Sequence, residues 1–127
     1  MLVIDAANVV GSRPTSWWKD RSKAASELVG RLRAGAASGR LPTPVVVVLE
    51  GKARAGVQEG AVDGVEVVHA RGAGDDALVA VANEASEPVL LVSADRGLRT
   101  RVERLGVCVV GPSWIWDRLD TQQASAR

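Results

Sequence analysis

The 127-residue chain contains no Phe and no Tyr, and only one Cys and one His. A lone cysteine excludes an internal disulfide. Cys108 and His69 together fall short of the three or four ligands that a zinc site takes from such residues. Ser–His–Asp chemistry would have to pass through His69. Cys108 lies in the apolar run 107–110 and reads as a small buried side chain rather than a nucleophile. A phosphate loop ending in Gly-Lys-Ser/Thr is missing, which argues against a nucleoside triphosphatase of that type. No apolar run approaches the length that spans a bilayer. The opening Met-Leu-Val-Ile-Asp has neither the basic start nor the long apolar stretch of a signal peptide, so the expected location is cytoplasmic. A net charge of +1 neither demands nor excludes nucleic acid; the distribution of charge matters more.

What is present is a set of short β-branched runs. Residues 2–5, 45–49, 65–68, 89–92 and 107–110 are apolar almost throughout and too short for helices. Strands apolar on both faces belong to a parallel sheet covered on both sides. Between them lie helical patterns. Residues 17–37 put Trp18, Ala25, Leu28, Leu32 and Ala36 near one face; residues 75–86, 96–105 and 112–119 repeat the pattern. The alternation predicts an α/β fold, a three-layer α/β/α sandwich around a mainly parallel sheet of about five strands. Residues 51–64 predict an exposed loop or a poorly formed helix. A single domain is expected over 1–119, with a polar tail at 120–127.

A parallel sheet gathers its strand C-termini at one edge, where ligands of such folds bind. Asp5 ends the first expected strand and Glu50 the second. Asp75 and Asp76 follow the third, and Asp95 follows the fourth. Each acid has a plain structural explanation. Asp75, Asp76 and Asp95 could cap helices, and Glu50 could be a solvated turn residue. Asp5 is harder to dismiss, because a carboxylate at the end of a buried strand is costly. Brought together, these acids would repel and raise one another's pKa, for which a divalent cation is the usual remedy. All-oxygen sites suit Mg²⁺ or Mn²⁺. Asn8, three residues after Asp5, is placed to orient a carboxylate or a bound water, or is a turn residue. Gly72 and Gly74 permit close backbone approach before the Asp pair, but are a weak signal alone.

Three motifs in series carry a resemblance. Ile4-Asp5-Ala6-Ala7-Asn8-Val9, Gly74-Asp75-Asp76-Ala77-Leu78 and Val92-Ser93-Ala94-Asp95-Arg96-Gly97 resemble the NYN branch of the PIN-like ribonucleases, in order and spacing over nearly the whole chain. The resemblance implies a PIN-like fold and a metal-dependent ribonuclease. Asp5, Asp75, Asp76 and Asp95 would be its metal-binding or catalytic carboxylates, with Asn8 beside the first. Leu49-Glu50-Gly51 is similar to the acid–Gly turn of related nucleases, with Glu where Asp is usual, which adds Glu50 as a metal ligand. Many relatives carry a further acid four residues after the one matched by Asp95; here that position is Arg99.

Basic and aromatic residues follow the same strand ends. Arg13, Trp17, Lys19 and Arg21 come after the first, and Lys52, Arg54, Arg71 and Arg96 after later ones. They are candidates for holding the phosphates and bases of single-stranded RNA. Trp17 and Trp18 could instead pack in the core, and Trp114 and Trp116 read as packing of the last helix. Three other functions remain. One is a catalytically weak RNA-binding module of the same fold. Another is a phosphatase or phosphotransferase with a strand-end Asp, although Asp5-Ala6-Ala7 lacks the usual Asp-x-Asp. The third is a phospho-receiver, which would want its acid pair after the first strand and a Lys after the last. Monomer or homodimer stays open.

Overall fold

The computed structural model describes residues 1–13 and 19–125; the side chains of 122–125 are outside the description. Six strands and five helices are found among these residues: β1 Leu2–Asp5, α1 Ala6–Gly11, α2 Arg21–Ala37, β2 Val45–Leu49, β3 Gly60–Val62, β4 Val65–His69, α3 Gly74–Glu84, β5 Leu90–Val92, α4 Arg96–Glu103, β6 Cys108–Val110 and α5 Pro112–Ser125. A 3₁₀ segment, Gly51–Gly56, follows β2. No helix of the described residues is long and apolar enough to cross a membrane.

The sheet order is β3-β4-β2-β1-β5-β6, parallel throughout except for β3. Every residue of β1 and β2 is buried, which explains their unbroken apolar runs. Alternate side chains feed two cores. Leu2, Ile4, Val45, Val47 and Leu49 pack with Val9, Leu28, Leu32 and Ile115 from α1, α2 and α5. Val3, Val46, Val48 and Leu91 pack with Leu78, Leu98 and Val102 from α3 and α4. The three-layer sandwich is therefore as expected, and it agrees with the PIN-like arrangement. The chain moves outward from β1 to β2 and β4, then returns to place β5 on the other side of β1. In open α/β sheets such a reversal marks the ligand-binding crevice, here at the C-terminal ends of β1 and β5.

Four details differ from the sequence expectation. The segment 51–64 is neither plain loop nor helix: it holds the 3₁₀ turn and the edge strand β3, paired antiparallel with β4. Asp63 and Gly64, both at positive φ, make the two-residue turn of that hairpin. The six residues after Asp5 form the short helix α1. Cys108 is exposed rather than buried, because β6 is an edge strand and its first residue lies open. The polar stretch expected as a tail is helical through Ser125. Asp120 within it is ion-paired to Arg13 and Arg31.

Candidate active site

The crevice is tied together across β1 and β5 by side chains. Asp5 ends β1 and is only 8% exposed. It caps α1, with Oδ1 accepting from the Asn8 amide at 3.4 Å. Its Oδ2 accepts from the buried Ser93 hydroxyl at 2.8 Å. Ser93 Oγ in turn accepts from the Asp95 amide at 3.1 Å. Asn8 Oδ1 accepts from the Ala94 amide at 2.8 Å. Two hydrogen-bonded bridges thus hold the turn after β5 against the turn after β1. Asn8 acts here as a brace between the two turns. Ser93 was not singled out from the sequence; a lone hydroxyl directly after an apolar strand, two residues before Asp95, was the available signal.

Asp95 caps α4, its Oδ1 accepting from the Leu98 amide at 2.9 Å. Its structural explanation therefore holds, and its carboxylate still stands at the acidic edge. Asp75 and Asp76 are not caps. They occupy the first turn of α3, whose N-cap, Ala73, offers no side-chain acceptor. Glu50 supplies one from another element: its Oε2 accepts from the Gly74 amide at 2.7 Å. Gly51, at φ +57, lets the chain turn from Glu50 into the 3₁₀ segment.

Electrostatics separates the acids. Burial pushes the Asp5 carboxyl above its ordinary range; hydrogen bonds from Ser93 and Asn8 oppose this, while Asp75 and Glu50 add to it by repulsion. Asp75 is raised as well, first by burial, then by Asp95 and Glu50, with Arg101 opposing. Asp5 thus feels the charge of Asp75 and Glu50, and Asp75 that of Asp95, Glu50 and, more weakly, its neighbour Asp76. Asp75 accepts no hydrogen bond among the described residues. Asp76 is set apart: it is exposed, and it pairs with Arg101 at 3.0 Å. Among the described residues, no three or more His, Cys, Asp or Glu side chains stand together as a ready-made metal site. Arg99 follows Asp95 by one helical turn, and its Nε is buried without a hydrogen-bond partner among the described residues. His69 is structural: its Nε2 meets the Val57 carbonyl at 2.7 Å, and its backbone amide donates to Glu59.

The basic candidates divide likewise. Arg13 lies over the Trp116 ring, 4.0 Å from its centroid, and is paired to Asp120, so it serves the α1–α5 contact rather than the crevice. Trp116 itself donates to the Val9 carbonyl and to Ser12, and packs against the core with Trp114. Arg54 is bound to the carbonyls of Gly51 and Ala70 and ties the ends of β2 and β4 together. Lys19, Arg21, Lys52, Arg71 and Arg96 are exposed. Trp17 and Trp18 lie outside the described residues.

No family model and no curated protein matches the chain. Solved structures do. Rae1 (YacP) from Bacillus subtilis superposes with a TM-score of 0.76 at 16% identity, over 99% of this chain and 76% of that one. Its W164L mutant gives a TM-score of 0.73, also at 16% identity, over 98% and 77%. At this identity the likeness extends to the fold, and this chain shares its three-layer fold with the Bacillus protein.

Proposed function

We propose that the protein is a ribonuclease that hydrolyses RNA phosphodiester bonds with the help of Mg²⁺ or Mn²⁺ held at the crevice. One observation carries the reading. Asp5, Glu50, Asp75 and Asp95 come from four chain segments to one sheet edge, and repulsion among them helps raise the Asp5 and Asp75 carboxyls. The donor chemistry fits a hard divalent cation: the oxygens are carboxylate oxygens, and a dication relieves their repulsion. Asp5, Asp75 and Asp95 would hold it. Glu50, engaged at Gly74, completes the acidic wall.

A bound ion would lower the pKa of a coordinated water and neutralise charge on the phosphate. The chain's own part is positional. Ser93 and Asn8 fix the two turns that carry Asp5 and Asp95. Glu50 fixes the helix start that carries Asp75. No side chain among the described residues is arranged as a nucleophile, in keeping with direct attack by water. RNA as the substrate rests on the resemblance of the three motifs.

Labelled single-stranded RNA incubated with Mn²⁺, and in parallel with EDTA, tests the reading. Cleavage with metal that is absent in EDTA and absent in Asp5→Asn supports it; equal cleavage in EDTA overturns it. A second reading, an RNA-binding module of weak activity, is favoured by the scattered state of the acids and by the loss of Asp76 to Arg101. Tight RNA binding without cleavage in any metal would select it.

A further inference from the structure

A cleft of about 370 Å³ adjoins the acids. Ala6, Ala7 and Val10 of α1, Ala25 of α2 and Ala53 of the 3₁₀ segment line it. It begins one residue after Asp5. It also shares Glu50, one of the four clustered carboxylates, so acids and cleft have a wall in common. The volume lies within the range of sites that enclose small organic groups, and the lining is of the same mostly apolar kind with few polar groups.

Its charges say what kind of group. Arg21 stands in the wall. Lys52 lies between lining residues Gly51 and Ala53, and Arg71 precedes lining residue Gly72; both are exposed, and neither forms an ion pair among the described residues. The apolar space is thus bordered by cations on the side of the β2 and β4 ends. That combination complements a flat, weakly polar group attached to an anionic chain. Glu50 adds a directional element. Its Oε2 is engaged by the Gly74 amide, and Oε1 accepts no hydrogen bond among the described residues. A carboxylate oxygen in an apolar wall is an acceptor for ring or amino N–H groups, the edge that a nucleobase shows when unpaired.

We propose that this cleft receives one unpaired nucleobase of the RNA strand whose backbone crosses the acids, the base of a nucleotide flanking the phosphodiester that is cut. The inference rests on the ribonuclease reading and adds to it a pocket for one base beside the cut. The base leaves water for the Ala and Val lining, Glu50 accepts from its N–H edge, and Arg21, Lys52 and Arg71 face the neighbouring phosphates. Base-paired RNA cannot enter without first unpairing, because the base must leave its stack.

The experiment is an abasic scan. A ten-nucleotide RNA carries a single abasic position, moved along the strand. Binding is read by fluorescence anisotropy in EDTA, and cut positions are mapped in Mn²⁺. One abasic position should weaken binding about tenfold or more, as loss of a stacked base does elsewhere, with the others near neutral. That position should flank the mapped cut. Ala7→Leu and, separately, Ala53→Leu fill the cleft. Each, with an unchanged circular dichroism spectrum, should bind the intact strand about tenfold more weakly and show no further loss at the abasic position. A flat abasic profile overturns the inference, as do folded variants that bind the intact strand as tightly as the parent. A position-dependent profile without cleavage keeps the cleft and removes the nuclease. Cleavage with a flat profile does the reverse, and absence of both binding and cleavage overturns the two together.

Discussion

The Glu50 carboxylate caps a helix to which it does not belong: it accepts from the Gly74 amide at 2.7 Å, and a Cβ at Gly74 would stand 2.9 Å from the same carboxyl. A methyl at that position would have to push the carboxyl, the movable end of the Glu50 side chain, off the Gly74 amide. The bond also sets the first turn of α3, and with it Asp75. Glu50→Ala should cost about 1 kcal/mol of stability, the usual loss of a helix cap. Gly74→Ala should cost a similar amount, because its methyl displaces the carboxyl. In the Glu50→Ala background the same methyl meets no carboxyl and should be nearly neutral. Urea denaturation of the four proteins in this cycle measures the coupling. Additive losses would show that the two residues do not act through this contact.

Asp5 gives a pH dependence. Its folded-state pKa is raised above the ordinary 3.8, chiefly by burial. The folded protein therefore holds that proton more tightly than the unfolded chain. The stability this contributes is fully present below the unfolded value and is lost as pH rises through the folded one. At neutral pH in EDTA the ionised Asp5 destabilises the fold. Asp5→Asn keeps a capping side chain and removes the charge. It should melt higher than the parent at pH 7 in EDTA, and the advantage should shrink as pH falls toward 4. Adding Mn²⁺ should raise the melting temperature of the parent and not of the variant. A variant less stable than the parent at pH 7 in EDTA would show that Asp5 is held mainly by its hydrogen bonds.

The adjacent acids Asp75 and Asp76 should behave differently. Asp75 accepts no hydrogen bond among the described residues and is repelled by Asp95 and Glu50. Asp76 is exposed and paired to Arg101. Asp75→Asn should lower metal-dependent cleavage by at least the roughly 10- to 100-fold that loss of an outer-shell partner costs a metal site. Asp76→Asn should keep cleavage within about threefold of the parent, since an exposed ion pair contributes about 1 kcal/mol or less. Initial rates on one labelled RNA at saturating Mn²⁺ decide it. Equal losses would return Asp76 to the site.

What the sequence made legible follows from periodicity and from chain order. Unbroken runs such as Val45–Leu49 announce buried parallel strands, and parallel strands dictate where Asp5, Glu50 and Asp95 must meet. Contacts between distant segments were not legible. Nothing in the chain says that Glu50 caps α3 across 24 residues, that Ser93 reaches Asp5 across 88, or that Asp120 collects Arg13 and Arg31. The acids at 75 and 76 look equivalent until helix geometry turns one toward the crevice and the other toward Arg101. The β3–β4 hairpin was readable from Val62-Asp63-Gly64-Val65, an Asp-Gly pair between apolar residues, but the polar stretch before it masked a three-residue strand.

The same distinction between free and engaged side chains predicts which cations meet RNA. A cation that neutralises a phosphate releases a counterion, so its loss flattens the dependence of log affinity on log salt by about 0.7 per contact on a single strand. Arg13 is already neutralised by Asp120 and lies over Trp116. Arg13→Ala should leave the salt slope unchanged, while lowering the melting temperature through the lost α1–α5 contact. Lys52 and Arg71 are exposed and follow the C-terminal ends of β2 and β4, beside the cleft. Replacing both by Ala should reduce the slope by about 1.4, two contacts at the same increment, and leave the melting temperature within error. Binding isotherms from about 50 to 200 mM KCl in EDTA give the slopes without interference from cleavage. An unchanged slope in the double variant would put the backbone path elsewhere on the edge, with Arg96 at the start of α4 as the next cation to remove. A slope flattened by Arg13→Ala would mean that RNA competes with Asp120 for that guanidinium.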